Sequence, residues 1–203
     1  MGSLTRAFSR PASTRCAHGY RLKPGVTAKD NPDHPIGAIK MVVIEPAKAS
    51  DVQEIKQVLS QTWINTYGPF LSHTTIQKVT DVWHAPELLE AQVKNSDIFF
   101  RLAKDESGII LGLITAQQYD EDTLIVARLY VRPQSQRQGI GSKLLNDTMS
   151  IYSHAKKFQL AVEAQNEKGI SFYRKQGFDE VGRSVEKIEG ETLEVIHMEK
   201  NLT

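Results

Sequence analysis

Two glycines one residue apart, Gly139 and Gly141, stand where an apolar run meets an amphipathic helix, and this junction constrains the fold of the 203-residue chain more than any other feature. Upstream, Leu124-Ile-Val-Ala-Arg-Leu-Tyr-Val131 is rich in β-branched and aromatic residues and reads as a buried strand. Downstream, Ile140 to Tyr152 repeats apolar residues three and four apart and reads as a helix. A strand entering a helix through glycines lets the backbone approach a ligand closely. The unbonded N–H groups of the first helical turn, with the helix dipole, then favour a phosphate. A tight turn that binds nothing satisfies the same residues. Two other nucleotide sites fail on spacing. A Walker loop ends in Gly-Lys-Ser/Thr, whereas here Ser142 precedes Lys143, and a dinucleotide fingerprint needs a small residue where Leu144 stands.

The rest of the chain surrounds this junction with strands and helices. Met41 to Glu45 reads as a strand, and Ser50-Asp51-Val52-Gln53 as a capping box opening a helix. That helix has one apolar face, made by Val52, Ile55, Val58, Leu59, Thr62 and Trp63. A polar stretch with aromatics runs from Asn65 to His73, and Pro86 to Lys94 predicts a second helix. Ile98 to Ala103 and Ile109 to Gln117 predict a hairpin about the turn residues Asp105 to Gly108. Beyond the glycines come a strand at Gln159 to Glu163 and a helix at Glu167 to Gln176 with Gly177 as its left-handed cap. Two last strands follow, Phe178 to Lys187 and Thr192 to Met198, about Gly190. The expected architecture is α/β, a mixed central sheet of about seven strands flanked by about four helices, with ligands at the carboxyl ends of strands.

Charge divides the chain in two. Residues 1–40 hold seven Lys/Arg against two acids, and residues 41–203 hold 18 against 22. The first segment, without periodicity and broken by Asn31-Pro-Asp-His-Pro35, reads as a loosely attached basic tail, either an extension or a transit segment; residues 41–203 read as one domain. An acidic body argues against nucleic acid as a partner and suits a cationic amine. The one cysteine, Cys16, leaves no thiolate metal site in the body, and no metal is expected. No apolar run reaches the roughly 18–20 residues of a membrane span, so the expectation is a cytoplasmic protein without a membrane partner, organellar targeting by the tail remaining open.

Gln136-Arg-Gln-Gly-Ile-Gly141 resembles the Q/R-x-x-G-x-G/A pyrophosphate loop of the GNAT superfamily of acyl-CoA-dependent N-acyltransferases. Asn166-Glu-Lys-Gly-Ile-Ser-Phe-Tyr-Arg-Lys-Gln-Gly-Phe178 resembles its second cofactor motif. Both occur in the family's order with a strand between, and the resemblance spans roughly residues 41–203. It implies the GNAT fold, with acetyl-CoA as cosubstrate and an amine as acceptor. By the same resemblance, the backbone of Gln136, Arg137, Gln138, Gly139, Ile140, Gly141 and Ser142 would cradle the CoA pyrophosphate. Leu129, Tyr130 and Val131 would pair through their main chain with the pantetheine arm, Asn166 would reach it from the other side, and Tyr173 would protonate the departing thiolate. Asn166 also fits a plain helix cap, and Tyr173 a core aromatic beside Phe172 and Phe178.

An amine is mostly protonated at neutral pH, so the reaction needs a base. Family members often carry a glutamate on the strand before the loop, and Leu124 to Val131 has no carboxylate. Glu163, Tyr130 and the turn Asp120-Glu-Asp122 are the candidates, and Glu163 is expected to act with Tyr173 in catalysis; His73, His84 and His197 are too scattered to assign. Trp63, Tyr67, Phe70 and Trp83 could wall the acceptor pocket, and Trp63 to Phe70 looks weakly like the matching part of polyamine and small-amine acetyltransferases. Three functions follow: acetylation of a small amine such as a polyamine, acetylation of a protein N-terminus or lysine, or acyl-CoA binding without catalysis. Pairing of C-terminal strands in many relatives makes a homodimer an expectation by analogy.

Overall fold

The computed structural model describes residues 41–202, and the expectations for residues 1–40 lie outside that range. Helix α1 (Val52–Tyr67) buries the whole predicted stripe, from Val52 through Ile55, Val58, Leu59 and Thr62 to Trp63. Its start differs from the expected capping box. A single 3-10 turn, Ala49–Asp51, precedes it, so Ser50 lies inside the turn; the carboxylate of Asp51 instead accepts from the Lys48 N–H at 2.8 Å.

Seven strands form one sheet: β1 (Val43–Pro46), β2 (Phe99–Lys104), β3 (Ile110–Gln118), β4 (Thr123–Val131), β5 (Lys157–Glu163), β6 (Asp179–Ile188) and β7 (Glu191–Asn201), in the order β1-β2-β3-β4-β5-β7-β6. All neighbours are antiparallel except β4 and β5, whose parallel pairing requires a crossover; helix α4 (Ile140–Ile151) supplies it. Helix α4 and helix α5 (Glu167–Lys175) bury Ile140, Leu144, Leu145 and Ile170 against Leu124, Val126, Phe158, Leu160 and Ile196. On the other face, α1 and helix α3 (Pro86–Lys94) pack Ile55, Val58, Leu59 and Leu89 on Leu102, Ile110 and Leu113. Each such side chain, once buried, contributes about 1.5–3 kcal/mol.

A fifth helix, α2 (His73–Lys78), continues into a π-helical turn, Val79–Trp83. Ser72 caps it by accepting from the Thr75 N–H. Six residues of His-Thr-Thr-Ile-Gln-Lys are too short and polar to show helical periodicity; burial of Ile76 and Val79 against Ile188 and Leu193 holds the segment in place. The carboxylate of Glu191, first residue of β7, accepts from the Ser72 N–H and the Ser72 and Thr75 hydroxyls, so the β6–β7 hairpin is tied to α2. Glu189 (φ 49°) and Gly190 (φ 92°) make that hairpin's two-residue turn, the left-handed pair such a tip requires.

The strands β4 and β5 meet over only three pairs, Thr123 with Lys157, Leu124 with Phe158 and Ile125 with Gln159. Beyond them Val126–Val131 and Leu160–Glu163 diverge. A bulge accompanies the divergence: opposite Thr115 and Ala116, β4 pairs Arg128 and then Val126, leaving Ala127 extra. Such an insertion bends its strand and increases the local twist. Among the described residues no helix is long and apolar enough to cross a membrane, and no three His, Cys, Asp or Glu side chains are grouped to hold a metal ion.

Candidate active site

The loop leaving β4 is shaped to present backbone. Gln136 holds it by donating from Nε2 to the Val131 carbonyl at 3.1 Å, and Gln138 donates to the Gln134 carbonyl at 3.3 Å. Arg137 (φ 63°) and Gly139 (φ 79°) are both left-handed. Left-handed residues alternating with ordinary ones curl successive N–H groups toward one point, which makes an anion-binding concavity. Gly139 caps α4, and a Cβ added there would meet nothing within 4 Å, so the loop borders open space at this residue. At Gly141 a Cβ would come within 3.2 Å of the Phe172 ring, so this glycine permits the close approach of α4 to α5. The Ser142 hydroxyl accepts from Gln176 Nε2 at 3.1 Å, tying the same two helices.

Beyond Ile125, β4 and β5 leave a wedge whose facing backbone edges have no partner strand among the described residues. Leu129 and Val131 pack into the α4–α5 core, and Tyr130 points to the α1 side. Asn166 caps α5, its Oδ1 accepting from the Gly169 N–H at 3.0 Å. Gly177 (φ 83°) closes α5 with paired bonds, Gly177 N–H to Arg174 and Phe178 N–H to Tyr173, as predicted. Tyr173 packs edge-on to Phe172 and Phe178, with centroids 5.2 and 5.7 Å away.

Four groups from four elements converge at the mouth of the wedge. Glu163 ends β5 with 3% exposure; its Oε2 accepts from the Gln165 N–H at 2.9 Å, and its Oε1 is buried without a partner among the described residues. The Tyr67 phenol, on α1, is pushed well up by burial, then by Tyr130, Tyr173 and Glu163, which all lie near enough to act on it. Burial also raises Tyr130 and Tyr173, so all three phenols keep their protons at neutral pH. Trp63 stacks on Tyr67 at 4.4 Å, tilted 39°, and meets Trp83 edge-on at 6.4 Å. Its indole N–H is buried and lies close enough to the Tyr130 hydroxyl to influence it, without normal hydrogen-bond geometry.

The other candidates lie apart. Asp120 and Asp122 occupy an exposed turn ahead of Thr123, at the paired end of β4, with Asp122 bridged to Lys156 at 2.9 Å. His73 is exposed, and His197 meets the Ser184 hydroxyl at 2.8 Å. His84 is buried against Trp63, its pKa lowered to about 3 by burial and by the cations Arg128 and Lys56. Sequence reasoning named Tyr67 only as pocket wall. Its place beside Glu163, 96 positions away in the chain, follows from packing that no local pattern encodes.

An N–H cradle, an unpaired backbone edge for an amide-bearing arm and an aromatic, water-poor end suit a CoA thioester. A family model described as acetyltransferase (GNAT) domain matches residues 69–202. A spermidine N(1)-acetyltransferase of Thermoplasma acidophilum is 28% identical over 143 residues, covering 68% of this chain and 88% of the relative. The crystal structure of PaiA N-acetyltransferase from Thermoplasma acidophilum in complex with coenzyme A aligns with a TM-score of 0.67 at 25% identity, over 80% of this chain and 99% of that one. A spermidine N-acetyltransferase from Vibrio cholerae in complex with CoA and spermine shares the fold, with a TM-score of 0.60 at 20% identity over 79% and 95% of the two chains. With the seven-stranded mixed sheet and the glycine loop already described, the match over residues 69–202 makes this chain a member of the GNAT family, an acyl-CoA-dependent N-acetyltransferase.

Proposed function

We propose that the enzyme transfers an acetyl group from acetyl-CoA to the primary amine of a small molecule, with both substrates bound at once. The observation that carries this reading is the convergence of Glu163, Tyr67, Tyr130 and Tyr173 at the open end of the wedge. Acetyl-CoA supplies the acyl group as an activated thioester. Backbone N–H groups of residues 137–142 hold its pyrophosphate, Leu129 to Val131 align its arm through main-chain bonds, and Asn166 contacts the arm from α5. The acceptor arrives as ammonium, since at pH 7 a group with the pKa of lysine, about 10.4, is unprotonated in fewer than one molecule per thousand. Oε1 of Glu163 takes one proton from the ammonium, the free amine forms a bond to the thioester carbonyl carbon, and as the C–S bond breaks the Tyr173 phenol, kept protonated by burial, gives its proton to the CoA sulfur and regains the second proton that the new amide nitrogen releases. Holding the two substrates together supplies much of the remaining acceleration.

The clasp between Glu191 and the Ser72–Thr75 segment fixes α2 and the β6–β7 hairpin in the cluster that includes Trp63, Tyr67 and Trp83, and a fixed aromatic wall favours a small acceptor over a protein segment. Spermidine and spermine, named with two relatives, are the first small amines to try. The test is thiol release from acetyl-CoA by the full chain across polyamines, amino sugars, arylamines, amino acids and N-terminal or lysine peptides. Turnover of small amines is the expected result; turnover confined to peptides would replace the small acceptor with a protein.

A further inference from the structure

Arg128 sits on β4 on the face of Tyr130, two residues deeper in the wedge. The residue is partly buried, burial being the largest influence on its charged group, and the one side-chain hydrogen bond it makes to a described residue runs from Nη1 to the neutral Gln92 side-chain oxygen on α3, at 2.6 Å. Arg101, Arg132 and Arg183 each face a carboxylate, whereas no carboxylate of the described residues lies within bridging distance of Arg128. Among the described residues, the groups that act on this part of the wall bring no carboxylate. His84 is buried with Nδ1 unpartnered, Lys56 is a further cation acting on it, and Tyr130 is a neutral phenol. Burial lowers the Arg128 pKa.

A desolvated cation without a counter-ion is unfavourable, and proteins seldom keep one. On the wall of a ligand site, the missing charge is one the ligand brings. Arginine presents five donors in a planar fork that matches a carboxylate at two points, and one of the five is used here. Across the wedge, Glu163 offers a carboxyl group where the amine is expected. The site thus carries groups of opposite type on its two strands.

We infer that the acceptor carries a carboxylate as well as its reactive amine, and that Arg128 binds that carboxylate. This rests on the proposed acetylation of a small amine and narrows its class: amino acids and related amphoteric amines are preferred to polyamines, whose distal nitrogens would set like charge against Arg128.

The test compares short amino acids of increasing length with their carboxamides, an aminoalkyl phosphate and spermidine, using the full chain. The expected kcat/KM for the best acid exceeds that of its carboxamide by at least about tenfold, as for loss of one partner of a buried charge pair. In Arg128→Gln that ratio falls toward one, and in Arg128→Lys, which keeps charge without the fork, it is intermediate. Equal rates for acid and carboxamide, a ratio unmoved in Arg128→Gln, or spermidine outrunning every acid would each overturn the inference. So would preference for the aminoalkyl phosphate, or a loss of acetyl-CoA affinity as the main effect of Arg128→Gln. The wild-type series needs no variant to fold. Should no amine turn over, the acetylation reading fails, and thermal melts with CoA present decide this one. Stabilisation by acids over carboxamides, lost in Arg128→Gln, supports it; no difference refutes it.

Discussion

Replacing His84 by phenylalanine should remove a defined part of the protein's acid sensitivity. The imidazole is 2% exposed, stands edge-on to Trp63 at 5.7 Å, and has its pKa lowered from 6.5 to about 3, first by burial and then by Arg128 and Lys56. The unfolded chain therefore takes up this proton before the folded one does. Its contribution is present in full above pH 6.5 and is lost as pH falls toward the folded value. With those two pKa values, lowering pH from about 7.5 to about 5 costs roughly 2 kcal/mol of unfolding free energy at this one residue. Everything the two proteins share cancels in the comparison, which isolates residue 84. Phenylalanine keeps the aromatic contact, and no side-chain hydrogen bond from His84 to a described residue is lost, since Nδ1 has no partner. Urea unfolding of wild type and His84→Phe at the two pH values gives a double difference, expected at about 2 kcal/mol with the wild type losing more. A double difference under about 0.5 kcal/mol, with two-state unfolding in all four experiments, would refute the placement of a neutral imidazole among these cations.

Glu163→Gln keeps an oxygen for the Gln165 N–H and removes the proposed proton acceptor. Turnover should fall by about 10²–10⁴-fold and recover as pH approaches the amine pKa, and an unchanged rate would move the base elsewhere. Tyr173→Phe keeps the packing on Phe172 and Phe178, so acetyl-CoA affinity should hold while kcat drops by an order of magnitude or more; equal kcat would make Tyr173 a packing residue. Hydrogen bonds from the Ser72 and Thr75 hydroxyls and the Ser72 N–H hold Glu191 below its ordinary 4.5. The stability they provide is present above pH 4.5 and lost as pH falls through the folded value, so Glu191→Gln should melt lower than wild type at neutral pH and converge with it in acid. Persistence of the gap in acid would show that the charge of Glu191 does not matter to the clasp.

Much of the scaffold could be read from local pattern because it is set locally. Gly177 takes the left-handed conformation its position suggested, and the buried stripe of α1 matches its periodicity residue for residue. The capping box was misread because Ser50 and Asp51 both suit a cap, and only the extra 3-10 turn decides between them. Helix α2 went unseen because its apolar residues answer to Ile188 and Leu193, more than a hundred positions away, rather than to a face of its own. The site shows the same division. Its cradle comes from one continuous segment and carries a recognisable motif. The group around Tyr67 draws on α1, β4, β5 and α5 and has no motif, because a pleated sheet brings such residues together only once strand order is known. Arg128 was legible as a strand residue but not as an unpaired cation, since the absence of a counter-ion is a property of the finished packing.

The three-pair contact between β4 and β5 also bears on how the chain avoids sticking to its neighbours. Unpaired strand edges invite foreign strands, and most sheets confine such edges to a perimeter they blunt by shortness, charge or proline. Here β1, on one flank, is four residues long and ends in Pro46. The divergence of β4 from β5 adds two further edges in the interior of the sheet, backed by α4 and α5. A narrow extended molecule can reach them and the broad face of another protein cannot, so the hazard is sheltered by its own concavity.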